Sequence, residues 1–165
     1  MHQNPFFTRI LQIGLVVRSV EATAARCLED FGIGPWRLYT FDPSNIEEMT
    51  IRGKRVDHSM RTGCTMIGDI EWELIEPLDD RSVYAEYLRV HGEGLHHIMF
   101  AVEDYRAAKA HICRRGYQEI VSGKWYGHPY SYFDTQNSLA CVTEIWSPPE
   151  TDKELPPPDG TYPSL

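Results

Sequence analysis

LQIGLVVRSVEATAARCLEDFG, residues 11–32, and HHIMFAVEDYRAAKAHICRRG, residues 96–116, are two versions of one segment. Placing Gln12 on His97 pairs Ile13 with Ile98, Val17 with Val102, Ala22 with Ala107 and Ala25 with Ala110. Each version opens as a compact apolar run, passes a polar capping residue (Ser19 or Asp104) and continues as an Ala-rich helical pattern that stops at glycine. This is the signature of a strand, an N-capped helix and a C-terminal glycine stop, used twice.

The ends of the two halves match as well. IEWELIEPL from Ile70 lies on CVTEIWSPP from Cys141, pairing Glu73 with Glu144, Leu74 with Ile145 and Pro77 with Pro148. Both are β-type runs ended by Pro, which cannot donate to a ladder. Between these ends the first half offers strands at 35–41 and roughly 55–67, and the second at 117–126 and 128–135 with a turn at Gly127. Each half therefore reads as β-α-β-β-β. The expected fold class is α+β, with two tandem βαβββ modules forming a curved mixed sheet around a central cavity. One domain is expected over residues 1–150: module 1 at about 9–80, a helix at 82–91 capped by Ser82, and module 2 at about 94–148. The tail, 149–165, belongs to a stretch from Pro148 that holds six of the eleven prolines, and reads as an extended or disordered extension, neither helix nor central strand.

The repeat puts one polar residue at equivalent points near the start and end of each half: Gln12 and His97 on the first strands, Glu73 and Glu144 on the last. Each interrupts an apolar run. Because strand side chains alternate faces, such residues point either to solvent or into a lined cavity. A pseudo-twofold axis would gather all four around one centre. One imidazole, two carboxylates and an amide oxygen suit one divalent ion (Zn, Ni, Co, Mn, Fe or Mg) and leave positions open for substrate oxygens.

The rest of the composition narrows the function classes. A net charge of −8 argues against a general nucleic-acid binder. No apolar run approaches the ~18–20 residues of a membrane span, and the N-terminus lacks a signal-peptide pattern, so a cytoplasmic location is expected. The four cysteines, Cys27, Cys64, Cys113 and Cys141, are scattered and read as reduced thiols. Arg52, Lys54, Arg55, His58 and Arg61 form a basic cluster that either holds an anionic substrate group or decorates a solvated strand. Tyr126, His128, Tyr130 and Tyr132 line a strand-turn-strand segment, most of them as ordinary amphipathic sheet residues and some as candidates for a pocket wall, and His96 is expected to play a structural part on the sheet face opposite His97.

The paired βαβββ halves, with one polar residue from each first and last strand, resemble the vicinal-oxygen-chelate superfamily, which includes glyoxalase I, methylmalonyl-CoA epimerase, extradiol dioxygenases and metal-free antibiotic-sequestering proteins. The likeness runs from about Ile10 to Pro148. ELIEPLDDRSVYAEYLRVHGEGLHHIMFAVED, residues 73–104, is similar to the epimerases' last strand, linker helix and Gly-Leu-His-His motif. By that resemblance His97, Glu73 and Glu144 are metal ligands, and a homodimer is implied. Gln12 stands where epimerases usually carry His; with Glu73, His97 and Glu144 it resembles the ligand set of glyoxalase I. The stretch SNIEEMTIRGKRVDHSMRTG, residues 44–63, has no counterpart of the Glu-Gln-Gly-Val of many epimerases.

The resemblance implies a metal-dependent epimerase or isomerase that removes the proton α to a carbonyl, with Glu144 as base and Glu73 as its pseudo-symmetric partner. The substrate is a small molecule, such as a CoA thioester or another anionic carbonyl compound. The alternatives are a glyoxalase-type lyase and a metal-free small-molecule binding protein. An extradiol dioxygenase expects two His and one carboxylate, a set that Gln12 breaks.

Overall fold

The computed structural model describes residues 6–147 and 155–164. Module 1 opens with β1 (Ile10–Val16), α1 (Val20–Phe31) and β2 (Trp36–Phe41). Ser19 caps α1 by accepting the Ala22 N–H through Oγ, and Gly32 ends it in the left-handed conformation at φ 66°. A hairpin of β3 (Ile46–Ile51) and β4 (Lys54–Arg55) follows, then β5 (Met60–Ile67) and β6 (Ile70–Pro77). Helix α2 (Val83–His91), capped by Ser82, joins the modules. Module 2 repeats the pattern with β7 (Gly94–Phe100), α3 (Tyr105–Arg114), β8 (Glu119–Trp125), β9 (His128–Phe133) and, after the single-turn α4 (Gln136–Leu139), β10 (Val142–Trp146). Asp104 caps α3 as Ser19 caps α1.

The described strands form one curved, unclosed mixed sheet in the order β11-β2-β5-β6-β1-β7-β10-β9-β8-β3-β4, in which β11 is Gly160–Tyr162. The two modules mirror each other about its middle. There β1 and β7 pair antiparallel, while β1 runs parallel to β6 and β7 parallel to β10. The four strands that carry Gln12, His97, Glu73 and Glu144 are thus the four central ones.

Alternation sorts their side chains. On the outer face Leu74 packs with Trp36 and Leu38 beneath Val20 and Ala24 of α1, and Ile145 and Phe133 pack beneath Ala108 and Ile112 of α3. The inner face carries Val16, Ile75, Val121, Tyr132 and Val142, closed at one end by Val83 and Tyr84 of α2. Curvature brings opposite ends of the sheet into contact: the rings of Phe41 (β2) and Trp125 (β8) lie 5.3 Å apart, edge to face.

One sequence expectation needs correction. The strand read over 55–67 is two structures, because β5 begins only at Met60 and Lys54–Arg55 belong to the β3–β4 hairpin. That hairpin leaves its own module and pairs with β8 of the other. Its inward residues Ile46, Met49 and Ile51 break strict alternation because a bulge with Glu48 at φ 53° lies between them. Where it is described, the tail contains an extended edge strand. Gly160–Tyr162 pairs antiparallel with β2, at an edge where the neighbouring prolines do not have to donate to the ladder. Pro148 and residues 149–154, where the extended tail was read to begin, lie outside the described residues.

Candidate functional site

The inner face encloses a cavity of about 240 Å³ lined at one end by Gln12, Glu73 and Glu144, with His97 behind them. The register explains their convergence. Gly14 faces both Glu73 on β6 and His97 on β7, and Glu144 on β10 faces Met99 of β7. All four side chains are buried, His97 completely. Around His97 Nε2 stand Glu144 Oε2 at 3.0 Å, Gln12 Oε1 at 3.2 Å and Glu73 Oε2 at 3.6 Å.

Space for that imidazole comes from Gly14. A Cβ at this position would overlap the His97 ring atoms themselves. The amide of Gln12 is oriented from outside: its Nε2 donates to Glu71 Oε1 at 2.7 Å, which turns Oε1 toward His97. Glu71 is in turn held by Arg37 at 2.6 Å.

His96 does not point away from the site as its neighbour's alternation suggests. The β1–β7 register slips between Gly14 and Leu15, and this bulge turns both histidines inward, where both rings contact Tyr132. His96 Nδ1 meets His97 Nδ1 at 3.2 Å. Burial, with the neighbouring His97, holds His96 well below the usual histidine range.

The electrostatics are those of too many acceptors. Glu73 is pushed well above the carboxylate range by burial first, then by Glu144 and Glu71. Glu144 Oε2 makes no hydrogen bond although His97 Nε2 is near, because the geometry of that contact is not one. One imidazole N–H cannot serve three oxygens. The described residues hold no group of three or more His, Cys, Asp or Glu already spaced as a metal site. What favours a cation here is donor chemistry: buried oxygens in excess of protons, one of them orphaned, beside a nitrogen that can offer a lone pair. Cys64 also lines the cavity, but burial, with Glu73 and Glu71 nearby, pushes its thiol far up, which removes it as a nucleophile. All four cysteines are free thiols.

A single-chain sheet of paired βαβββ modules around such a centre has a family counterpart. Residues 11–132 match the family model described as the glyoxalase/bleomycin resistance protein/dioxygenase superfamily. The chain belongs to that superfamily. Three solved structures with this superfamily fold illustrate the likeness. A hypothetical protein from Bacillus halodurans is 19% identical with a TM-score of 0.67, covering 88% of this chain and 98% of its own. Methylmalonyl-CoA epimerase from Mycobacterium tuberculosis is 15% identical with a TM-score of 0.64, covering 90% and 93%. A variant of the Streptomyces coelicolor epimerase, solved in complex with 2-nitronate-propionyl-CoA, is 19% identical with a TM-score of 0.65, covering 90% and 99%. No curated protein matches the chain.

Around this superfamily scaffold the other sequence candidates separate. Tyr130 and Tyr132 line the cavity. Tyr126 is exposed, and His128 is buried against Trp146 outside the lining. The basic cluster disperses: Arg52 pairs with Glu86, Arg55 with Asp57 and Arg61 with Glu21, while His58 is buried with Nδ1 at the Val56 carbonyl. None of the cluster lines the cavity, so it builds no anion site there. The one cation among the described lining residues is Arg37, at the rim with Glu71. Both were missed in the sequence. Period-two spacing finds them, since Glu71 shares the face of Glu73, and Arg37 the face of Tyr39 and Phe41. In the described residues no helix is long and apolar enough to cross a membrane.

Proposed function

We propose that this chain is a metal-dependent epimerase or isomerase that removes the proton α to a substrate carbonyl. The observation that carries the reading is the convergence of three buried oxygens on His97 Nε2 at a cavity whose lining is largely apolar and aromatic. Gln12, Glu73, His97 and Glu144 would hold one divalent ion. Bound there, such an ion supplies Lewis acidity, drawing charge from the carbonyl and lowering the pKa of the neighbouring C–H.

The chain's own groups do the rest. His97 points Nε2 at the oxygens, where Gln12 Oε1 can only accept from it, and its Nδ1 lies 3.2 Å from His96 Nδ1; giving up the Nε2 proton would free the lone pair for the ion. Glu71 and Arg37 keep Gln12 Oε1 aimed at the same point. Glu144, whose Oε2 has no hydrogen bond to give up, would take the α-proton once substrate oxygens displace it from the ion, and so become the acid. The proton is returned by Glu144 itself or by the opposed carboxyl of Glu73, which can give one only when protonated and off the ion. Delivery to the opposite face of the same carbon gives epimerisation. The cavity's volume is below the ~300–1,000 Å³ of pockets that enclose drug-sized ligands, so it suits the acyl part of a thioester or a small free acid. Gln12 in place of an imidazole favours a second reading, a glyoxalase-type lyase that returns the proton to the adjacent carbon.

Deuterium incorporation tests this. The metal-loaded chain is incubated in heavy water with methylmalonyl-CoA and, separately, with the hemithioacetal of methylglyoxal. Exchange at the carbon next to the carbonyl is expected, and Glu144→Gln should slow it by roughly 10²–10⁴. No exchange with either compound, or exchange untouched in Glu144→Gln, overturns the reading.

A further inference from the structure

We propose that the C-terminal tail is part of the substrate site, and that Leu155 works with Tyr39, Phe41 and Trp125 to select substrates bearing a bulky apolar group beside the carbonyl. This rests on the reading of the site given above and adds to it the part of the substrate that faces away from the four polar residues.

The tail is held in place by specific contacts. Strand β11 pairs with β2 through Gly160 opposite Leu38 and Tyr162 opposite Trp36. Just before it, the Asp159 carboxylate accepts the Thr40 N–H at 2.6 Å and the Asp159 N–H donates to the Leu38 carbonyl at 2.8 Å. Tyr162 packs against the apolar cluster under α1. Running backwards from this anchor, antiparallel to β2, the chain passes the Phe41 end of that strand and brings Leu155 to the cavity, whose lining it joins.

The wall it completes is aromatic. Tyr39 and Phe41 lie nearly parallel with centroids 6.0 Å apart, and Trp125 meets both edge to face, at 6.0 and 5.3 Å. Those three rings come from β2 and β8, which the curvature brings together across the cavity. None carries a charge, and the nearest cation in the lining, Arg37, is already engaged by Glu71. An apolar substituent loses nothing by entering such a wall, whereas a charged one would be stripped of water without a partner. The superfamily match ends at residue 132, so this wall lies partly in sequence outside it.

Two hydroxamates separate the wall from the polar end. Acetohydroxamate and benzohydroxamate present the same pair of vicinal oxygens and differ only in carrying a methyl or a phenyl group. Binding of each to the zinc-loaded 165-residue chain is measured by calorimetry. Benzohydroxamate is expected to bind at least about tenfold more tightly. In Leu155→Ala and Trp125→Ala that preference should shrink severalfold while acetohydroxamate is unchanged, and Leu155→Trp should exclude the phenyl group selectively. Leu155 is partly exposed, so its variants are not expected to disturb folding. Equal binding of the two compounds by wild type overturns the apolar selection, and a preference unmoved by the Leu155 variants overturns the role of the tail. If neither compound binds, the reading of the four-residue site fails first and takes this inference with it.

Discussion

A Gly14→Ala protein is expected to fold and to lose divalent-ion affinity by about 10–100-fold, the range typical when a ligand's supporting shell is disturbed. At most strand positions Ala is better than Gly, since it costs less backbone entropy. Gly14 is different because it is the cross-strand partner of His97, and the imidazole lies directly over its Cα. An added methyl must push the ring aside. The ring carries the nitrogen on which Gln12, Glu73 and Glu144 converge, so moving it spoils the geometry for all four. Zinc titration calorimetry, beside circular dichroism to check the fold, measures the effect. Unchanged affinity in a folded Gly14→Ala protein would mean that His97 is not a ligand.

Glu73→Gln should raise the melting temperature of the metal-free protein while nearly abolishing the stabilisation that a metal confers. Glu73 and Glu144 are both buried, and no Lys or Arg is paired with either among the described residues. A charge desolvated beside a like charge opposes folding. Removing one carboxylate relieves this by about 1–2 kcal/mol, or roughly 2–8 °C for a chain of this size. In wild type, zinc at a thousandfold excess over its dissociation constant adds about 4 kcal/mol, or roughly 8–16 °C. The variant should start higher and gain little. If Glu73→Gln instead melts lower without metal and keeps the full metal shift, Glu73 is a structural hydrogen-bonding group and not a ligand.

The architecture was readable because it is written twice. Gln12 and His97 occupy equivalent points of two strand-helix units, and Glu73 and Glu144 equivalent points of two Pro-terminated strands, so duplication alone foretells that the four side chains meet. What escaped the reading lies where local rules are broken. The bulge at His96 turns it inward beside His97, against the alternation that a regular strand would impose. The bulge in β3 hides a strand whose apolar residues are spaced three and then two apart, and its pairing with the other module is a long-range choice that no local pattern encodes. The dispersal of Arg52, Arg55 and Arg61 depends on which acids, Glu86, Asp57 and Glu21, the fold delivers to them. Leu155 belongs to a Pro-rich stretch whose composition says only that it is neither helix nor central strand; its place at the cavity follows from the edge that β2 leaves open to β11.

If Gln12, Glu73, His97 and Glu144 form one metal centre, the purified chain holds a metal that depends on them. The purified chain and its His97→Ala variant are each equilibrated with a mixture of divalent ions, dialysed and analysed by plasma mass spectrometry. About one tightly held divalent ion per wild-type chain, and almost none in the variant, is the expected result. A wild-type chain that retains no metal, or a variant that retains as much as wild type, would contradict the metal centre and leave a small-molecule binding protein as the better account of the cavity.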